Sequence, residues 1–193
     1  MYQKRNNIFF IISLYTKDYK KRIYLREISK LTNLPIKTIQ NTLKILELDK
    51  ILKSTLHGKN KYFYINLDNI ETKFFLLYSE IYKTLTFLEK YPGFKTFIKE
   101  LNLDSLIIIF GGFAKLITNK TSDIDILVVS DKEEQLPIHL LPNKLHQINL
   151  SKSAFLKSLE KQETLIKEIE ENHIILNNHS SYVNMNWSYY GGR

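Results

Sequence analysis

Two glycines and two aspartates of this chain have residue types and a spacing that suit the binding of phosphate and of a metal ion: Gly111, Gly112, Asp123 and Asp125. Because side chains alternate along a strand, the two carboxylates project from one face, about 7 Å apart. Such a pair is repulsive unless a cation lies between the two carboxylates. The glycine pair lets backbone N–H groups approach a phosphate closely at the start of a helix. The pattern predicts a phosphate site beside a metal site.

The apolar pattern around these four residues predicts the strands and the helix that carry them. Residues 105–110, SLIIIF, predict a buried strand that ends at the glycines, and a short helical stretch follows. Ile124 and Ile126 flank Asp125 and predict a second strand. The composite of strand, Gly-Gly, helix and Asp-x-Asp strand resembles the DNA polymerase β-like nucleotidyltransferase superfamily in its minimal prokaryotic form. The alternative is purely structural: a glycine turn between two strands with exposed aspartates.

The resemblance implies a role for each matching residue. Asp123 and Asp125 would be the catalytic metal ligands, and Mg²⁺ would suit their hard oxygen atoms. The metal would bridge the triphosphate and lower the charge that opposes attack on the α-phosphorus. The nucleotide-binding set comprises Gly111, Gly112, Lys115 and Ser122. An exposed surface lysine is an equal interpretation of Lys115, and the alternative for Ser122 is a turn residue that leads into the strand.

The sequence departs from the family pattern at two positions. Gly112 stands where family members often have serine. A third carboxylate usually lies on a later strand, and the best candidate strand here, Leu145–Leu150, contains no acid. His146, Gln147 or Asn149 would take its place. Three nearby acids fall in the loop after the Asp-x-Asp strand, and we expect none of them to substitute: Asp131, Glu133 and Glu134.

Positive charge is concentrated in the first third of the chain. Residues 1–67 carry fourteen Lys/Arg against four Asp/Glu, a net charge of +10, whereas residues 68–193 carry fourteen against sixteen. A basic segment joined to a nearly neutral remainder is typical of a nucleic-acid-binding module attached to another domain.

The apolar spacing of this basic third predicts helices at 5–16, 24–31 and 36–48, followed by a hairpin of 51–56 and 61–67. Positions 36, 39, 43 and 46 of the third helix are predicted to face inward. The segment LREISKLTNLPIKTIQNTLKIL resembles prokaryotic winged helix-turn-helix regulators. That likeness implies binding to double-stranded DNA by the third helix and the hairpin. The predicted contacts are Lys37, Thr38, Gln40, Asn41, Lys44, Lys53, Lys59 and Lys61. The alternative is a domain used only for protein contacts or dimerisation.

The predicted organisation is α+β: a winged helix-turn-helix domain at 1–67, connecting helices at 68–103, and a nucleotidyltransferase-type mixed β-sheet with flanking helices at 104–193. A long amphipathic helix at 68–90 makes a homodimer one hypothesis. Residues 152–176 are expected to be helical, and the segment IKEIEENHIIL resembles the tail of archaeal winged-helix proteins with a nucleotidyltransferase domain. The aromatic segment 186–190 is expected either to dock or to stay loose.

Composition excludes other classes of protein. The chain has 193 residues, 44% of them hydrophobic, and no cysteine, so neither a disulfide framework nor a zinc finger is expected. No apolar run approaches the roughly 20 residues that a membrane span needs, and no cleavable leader is evident. The expected location is the cytoplasm, without membrane partners.

The sequence is consistent with two functions. The first is a DNA-binding, Mg²⁺-dependent transferase that moves a nucleotidyl group from an NTP to a hydroxyl group of a partner. ATP is the NTP that we expect. The resemblance extends this to the antitoxin of a toxin–antitoxin pair acting on a HEPN-type toxin protein. The second is a transcriptional regulator whose transferase domain is degenerate, which the acid-free strand 145–150 favours.

Overall fold

The computed structural model describes residues 2–118 and 122–192, with side chains from Asn7 onward. The chain forms two compact units, residues 1–82 with 186–193 and residues 83–185. The connection predicted between the glycines and Ser122 includes residues 119–121, which lie outside the described residues. None of the helices in the described part of the chain has both the length and the apolar character to cross a membrane.

The first unit combines helices with a small antiparallel sheet. Strands β1, β3 and β2 lie in that order, both pairs antiparallel. The elements in chain order are α1 (Tyr2–Ser13), β1 (Ile23–Tyr24), α2 (Leu25–Thr32), α3 (Ile36–Leu48), β2 (Leu52–His57), β3 (Asn60–Ile65) and the beginning of α4 (Ile70–Lys90). From the C-terminal segment, Tyr190 stacks on Tyr19 with ring centroids 5.0 Å apart.

A left-handed residue separates α2 from α3. Asn33 caps α2 with φ of 55°, and its backbone N–H donates to the carbonyl of Ser29. Pro35 then precedes α3, where its fixed φ suits the start of a helix. These two residues turn the chain within three positions, so that α3 follows α2 directly.

The inner face of α3 differs from the prediction at its first position. Ile39, Leu43 and Leu46 are buried as expected, and Thr42 joins them. Ile36 was predicted to face inward and is 46% exposed, so that prediction was wrong. Because Ile36 begins the helix one turn before Ile39, the packed face starts only at Ile39.

The hairpin turn is shorter than the sequence pattern indicates. His57 pairs with Asn60, so only Gly58 and Lys59 connect β2 and β3. Gly58 has φ of +59°, the backbone region that tight hairpin turns require. The strands therefore extend into the predicted four-residue turn, and Lys59 lies at the tip.

The second unit is built on a four-stranded mixed sheet in the order β6-β5-β4-β7. Strand β5 runs parallel to β6, and β4 is antiparallel to both of its neighbours. The remaining elements of the chain are α5 (Phe94–Lys99), β4 (Leu106–Phe110), α6 (Gly111–Ala114), β5 (Ile124–Val129), a 3₁₀ turn (Ile138–Leu140), β6 (Leu145–Leu150), α7 (Lys152–Lys161), α8 (Thr164–Glu171), β7 (Ile174–Asn177) and α9 (His179–Tyr189). This mixed α+β architecture confirms the predicted mixed sheet with flanking helices.

The central strands are buried on both faces. All five residues of β4 are buried, and so are five of the six residues of β5. One face packs against a cluster of aromatic side chains, which comprises Phe87, Phe94, Phe97 and Phe113. Strand β6 lies at the sheet edge, where His146 and Asn149 are exposed and the other four residues are partly buried. A rigid central pair of strands therefore supports whatever projects from the ends of β4 and β5.

The end of the stretch predicted as helical is a strand. Ile174 begins β7, which pairs antiparallel with β4, so the helical prediction was wrong from this residue onward. The side chain of Asn177 secures the strand by donating to the carbonyls of Leu103 and Ser105. A short apolar run such as Ile174–Leu176 suits either element locally, and the pairing with β4 decides it. Beyond it, Trp187 is buried within α9, 3% exposed.

Candidate active site

The two glycines and the second aspartate of the sequence pattern lie at the same end of the central strand pair, and Gly111 is the glycine beside Asp125. Phe110, the last residue of β4, lies opposite Asp125, the second residue of β5. The chain leaves β4 at Gly111, which has φ of +65°. Residues with a Cβ atom rarely adopt that conformation. The antiparallel pairing of Phe110 with Asp125 thus brings Gly111 beside Asp125, a residue 14 positions later in the sequence.

Gly111 makes room for the carboxylate of Asp125. A Cβ atom at residue 111 would overlap Asp125 Oδ2. The missing side chain and the left-handed backbone are therefore both required here by the protein itself. The contact of Gly111 with a phosphate stays a prediction, and this packing explains the glycine without it. The same geometry holds one oxygen of Asp125 against the backbone.

The other carboxylate oxygen of Asp125 faces His146. In the parallel register of β5 and β6 these two residues are partners, and His146 Nδ1 lies 3.2 Å from Asp125 Oδ1. The side chain of Asp125 is 28% exposed and that of His146 is 66% exposed. Of the three candidates on this strand, His146 is therefore the one beside Asp125. An imidazole occupies the position where the family resemblance implies a third acid.

Asp123 and Ser122 precede β5. Asp123 is exposed and Ser122 is half-buried. Among residues 2–118 and 122–192, no group of three or more His, Asp or Glu side chains is arranged to hold a metal ion. Mg²⁺ is nevertheless commonly held by one or two carboxylates together with substrate phosphates and water. Asp123 and Asp125 would supply two carboxylates to such an ion, and no third carboxylate of the described residues joins them.

Lys115 follows a helix of a single turn. Its backbone N–H donates to the carbonyl of Gly111, and the N–H of Ile117 donates to that of Gly112. Its side chain lies 3.7 Å from Glu168 of α8, both about two-fifths exposed. A pair this exposed contributes little and can be broken. A phosphate role for Lys115 stays a prediction.

The loop acids after β5 lie at the opposite end of the strand from Asp125. Glu134 accepts hydrogen bonds from Ser105 and Ser130, which precede β4 and follow β5 respectively. These two hydrogen bonds lower the pKa of the Glu134 carboxyl. Ser130 lies five residues beyond Asp125, about 16 Å along a strand. Glu134 therefore ties the loop to the sheet and does not complete the site.

A separate concave surface lies in the first unit, where the sequence predicted contacts with DNA. A groove of about 880 Å³ runs between α3 and the hairpin. Four of the predicted residues line it, Gln40, Lys44, Lys59 and Lys61, together with Tyr24, Arg26, Glu47 and Asn60. Lys37, Thr38, Asn41 and Lys53 are not among its lining residues. Arg26 was not among the contacts predicted from the sequence, although a cationic side chain at the start of α2 was a usable signal.

Two of the predicted lysines already have acidic neighbours. Lys61 Nζ lies 2.8 Å from Glu47, which also accepts from Ser54, and Lys53 pairs with Asp68. Lys44 and Lys59 are exposed. The positive charge of this groove therefore depends mainly on Arg26, Lys44 and Lys59.

Comparison with known proteins bears on the second unit. The family model described as a nucleotidyltransferase domain matches residues 92–179. No curated protein and no solved structure matches the chain significantly. The matched stretch contains Gly111, Asp125 and His146 and the whole four-stranded sheet. Over residues 92–179 this chain is similar to nucleotidyltransferase domains, which supports nucleotidyl transfer in general as the chemistry of its second unit.

Proposed function

We propose that this protein is a DNA-binding nucleotidyltransferase that transfers a nucleotidyl group from ATP to a hydroxyl group of a partner protein. The observation that carries the proposal is the carboxylate of Asp125, held between Gly111 and His146 at the end of the β4–β5 pair within the stretch similar to nucleotidyltransferase domains. An exposed second carboxylate, Asp123, lies two residues away.

In the proposed reaction the acceptor hydroxyl oxygen bonds to the α-phosphorus, the bond to the β-phosphate oxygen breaks, and pyrophosphate leaves. Mg²⁺, when held by Asp123 and Asp125, would neutralise charge on the phosphates. Asp125 faces Nδ1 of His146, so it favours the tautomer with hydrogen on that atom and leaves Nε2 as the proton acceptor. The acceptor's proton then passes to Nε2.

For the first unit we propose a winged helix-turn-helix that binds double-stranded DNA. The support is the order of its elements, the groove between α3 and the hairpin, and the net charge of +10 over residues 1–67. In this proposal Gln40, Asn41 and Lys44 reach base edges, while the hairpin lysines and the first turn of α3 contact phosphates. Because Arg26 also lines the groove, we include it among the proposed phosphate contacts.

The choice of a protein hydroxyl group as the acceptor of the nucleotidyl group rests on the family resemblance. A HEPN-type toxin is the proposed protein substrate, with the winged helix acting on the promoter of the shared operon. A second candidate is a transcriptional regulator with a degenerate transferase unit. The observation that favours it is His146 beside Asp125, where a third acid is expected.

Nucleotidyl transfer is tested with NTPs labelled at the α-phosphate, Mg²⁺ and candidate partner proteins. We expect stable label on the partner with ATP, and at least a hundredfold lower rate in Asp125→Asn and Asp123→Asn, because each loses a metal-binding charge. A γ-labelled nucleotide should leave no label, which distinguishes nucleotidyl from phosphoryl transfer. Glu133→Gln, an exposed acid of the loop after β5, serves as the control. Transfer that is undiminished in both aspartate variants would contradict the proposal.

DNA binding is tested by titrating the operon's upstream duplex at several salt concentrations. Lys59→Ala should weaken binding and reduce the slope of log K against log [salt] by about one unit, the effect of losing one phosphate contact. Lys44→Ala should weaken binding to this duplex because it loses a base contact. Lys95→Ala, an exposed lysine of the second unit, is the matched control. Equal affinities and equal slopes for all four proteins would rule out this groove as the DNA site.

A further inference from the structure

The first unit exposes a row of large apolar side chains along one helix. Ile70, Phe74, Tyr78 and Ile81 of α4 are 50%, 54%, 56% and 36% exposed. Their spacings of four, four and three residues place them on successive turns of one helix face. We call these four residues the outer stripe. Exposed apolar side chains are ordinary when scattered, whereas a contiguous apolar patch of a few hundred Å² is often functional.

The outer stripe is more apolar than the face that α4 buries. Thr72, Ser79 and Glu80 are each 0% exposed, and Leu76 is the large apolar residue among them. At 100° per residue the outer stripe lies nearly opposite this buried set. A surface helix of a globular protein normally turns its apolar stripe toward the core and its polar face toward water. In this part of α4 the arrangement is reversed, so the apolar outer stripe is exposed to water unless another surface packs against it.

The composition of the outer stripe matches the centre of an interface. Aromatic residues are enriched and charged residues depleted at interface cores, with charges at the rim. Here the stripe itself carries no charge, and the exposed Glu71 and half-buried Lys73 lie at its flanks. Phe9 of α1 adds to the same patch, with its ring centroid 5.6 Å from that of Tyr78.

We propose that the outer stripe binds the outer stripe of a second copy of this chain, forming a homodimer with two-fold symmetry. Spacings of three and four residues are those by which two identical helices interdigitate along a seam. A two-fold interface needs one self-complementary patch, which an uncharged apolar row supplies. Each side chain has about 100 Å² still to bury, so the stripes of two copies remove about 800 Å² from water.

The area that the two outer stripes bury is small, as in complexes that form reversibly. Stable interfaces bury about 1,600 Å² in total, of which the two stripes provide about half, and the flanking residues and Phe9 must supply the remainder. We therefore expect a monomer–dimer equilibrium with a dissociation constant of micromolar order.

The test is sedimentation velocity of the full chain, with loading from about 1 to about 100 µM around that dissociation constant. The wild type should shift from 22.9 kDa toward twice that mass. Phe74→Glu and Tyr78→Glu should stay monomeric across the range, because each buries an unpaired charge in the seam. Leu48→Glu, which changes a side chain that is 69% exposed on α3, should dimerise like the wild type. A monomeric wild type, or dimers that persist in both stripe variants, would overturn the proposal.

Cysteine cross-linking gives a second measurement that does not depend on substituting a charge. The chain contains no cysteine, so a single introduced thiol reports one position. Under mild oxidation Tyr78→Cys should form a covalent dimer with a yield that saturates at micromolar protein, while Leu48→Cys should not exceed the rate of random collision. Equal cross-linking of the two variants would show that the copies do not meet along α4. Circular dichroism of each variant checks that the fold is retained.

Discussion

Gly111→Ala is expected to destabilise the second unit and to abolish nucleotidyl transfer. The left-handed backbone at residue 111 costs about 1–2 kcal/mol with any Cβ atom, and the overlap of that atom with Asp125 Oδ2 adds about 1–3 kcal/mol. Because the overlap is with the carboxylate itself, the substitution must also displace Asp125. Urea denaturation measures the stability change, and the α-labelled transfer assay measures the activity.

Two other glycines provide matched controls for this prediction. At Gly112 a Cβ atom would lie 3.3 Å from the carbonyl oxygen of Ile117, a tight contact without a left-handed backbone. Gly93 precedes α5 and has open space around it. The expected order of destabilisation is therefore Gly111→Ala, then Gly112→Ala, then Gly93→Ala with no measurable loss. If Gly111→Ala were as stable and as active as Gly93→Ala, the placement of Asp125 against residue 111 would be wrong.

His146→Ala is expected to lower the rate of transfer by about 10²–10⁴-fold, the usual contribution of a general base. The substitution removes the proposed proton acceptor Nε2 and also frees the Asp125 carboxylate from its neighbour. Because His146 is 66% exposed on an edge strand, its loss should leave the free energy of unfolding nearly unchanged. Single-turnover kinetics at saturating ATP separate the chemical step from binding.

His146→Asp distinguishes the two candidate functions. In an active transferase this variant keeps a proton acceptor beside Asp125 and adds a metal-binding charge, so transfer should be retained and the affinity for Mg²⁺ should rise. Without metal, two adjacent carboxylates repel and should destabilise the variant, and Mg²⁺ should restore its stability. A wild type without activity, together with transfer gained by His146→Asp, would instead support the degenerate regulator. A wild type as active as His146→Ala would contradict the role assigned to Nε2.

Elements with strong local periodicity were predictable from the sequence. The bounds of α3 at Ile36–Leu48 and of β6 at Leu145–Leu150 agree with those predicted. For α3, the apolar spacing predicts the helix and Pro35 predicts where it begins, so residues close together in the sequence are sufficient. Where the local pattern was ambiguous, the prediction failed, as it did for β7, since only hydrogen bonds to β4 make residues 174–177 a strand.

Two features of the site were predictable from the sequence: the types of side chain available, namely two glycines and two aspartates at fixed spacing, and the strand that carries Asp125. The tertiary structure alone decided that Gly111 accommodates Asp125 and that His146 is its neighbour on β6. It also decided that α4 exposes an apolar row. The reason is physical: strand register and burial depend on contacts between residues far apart in the chain, and local periodicity does not encode which of them meet.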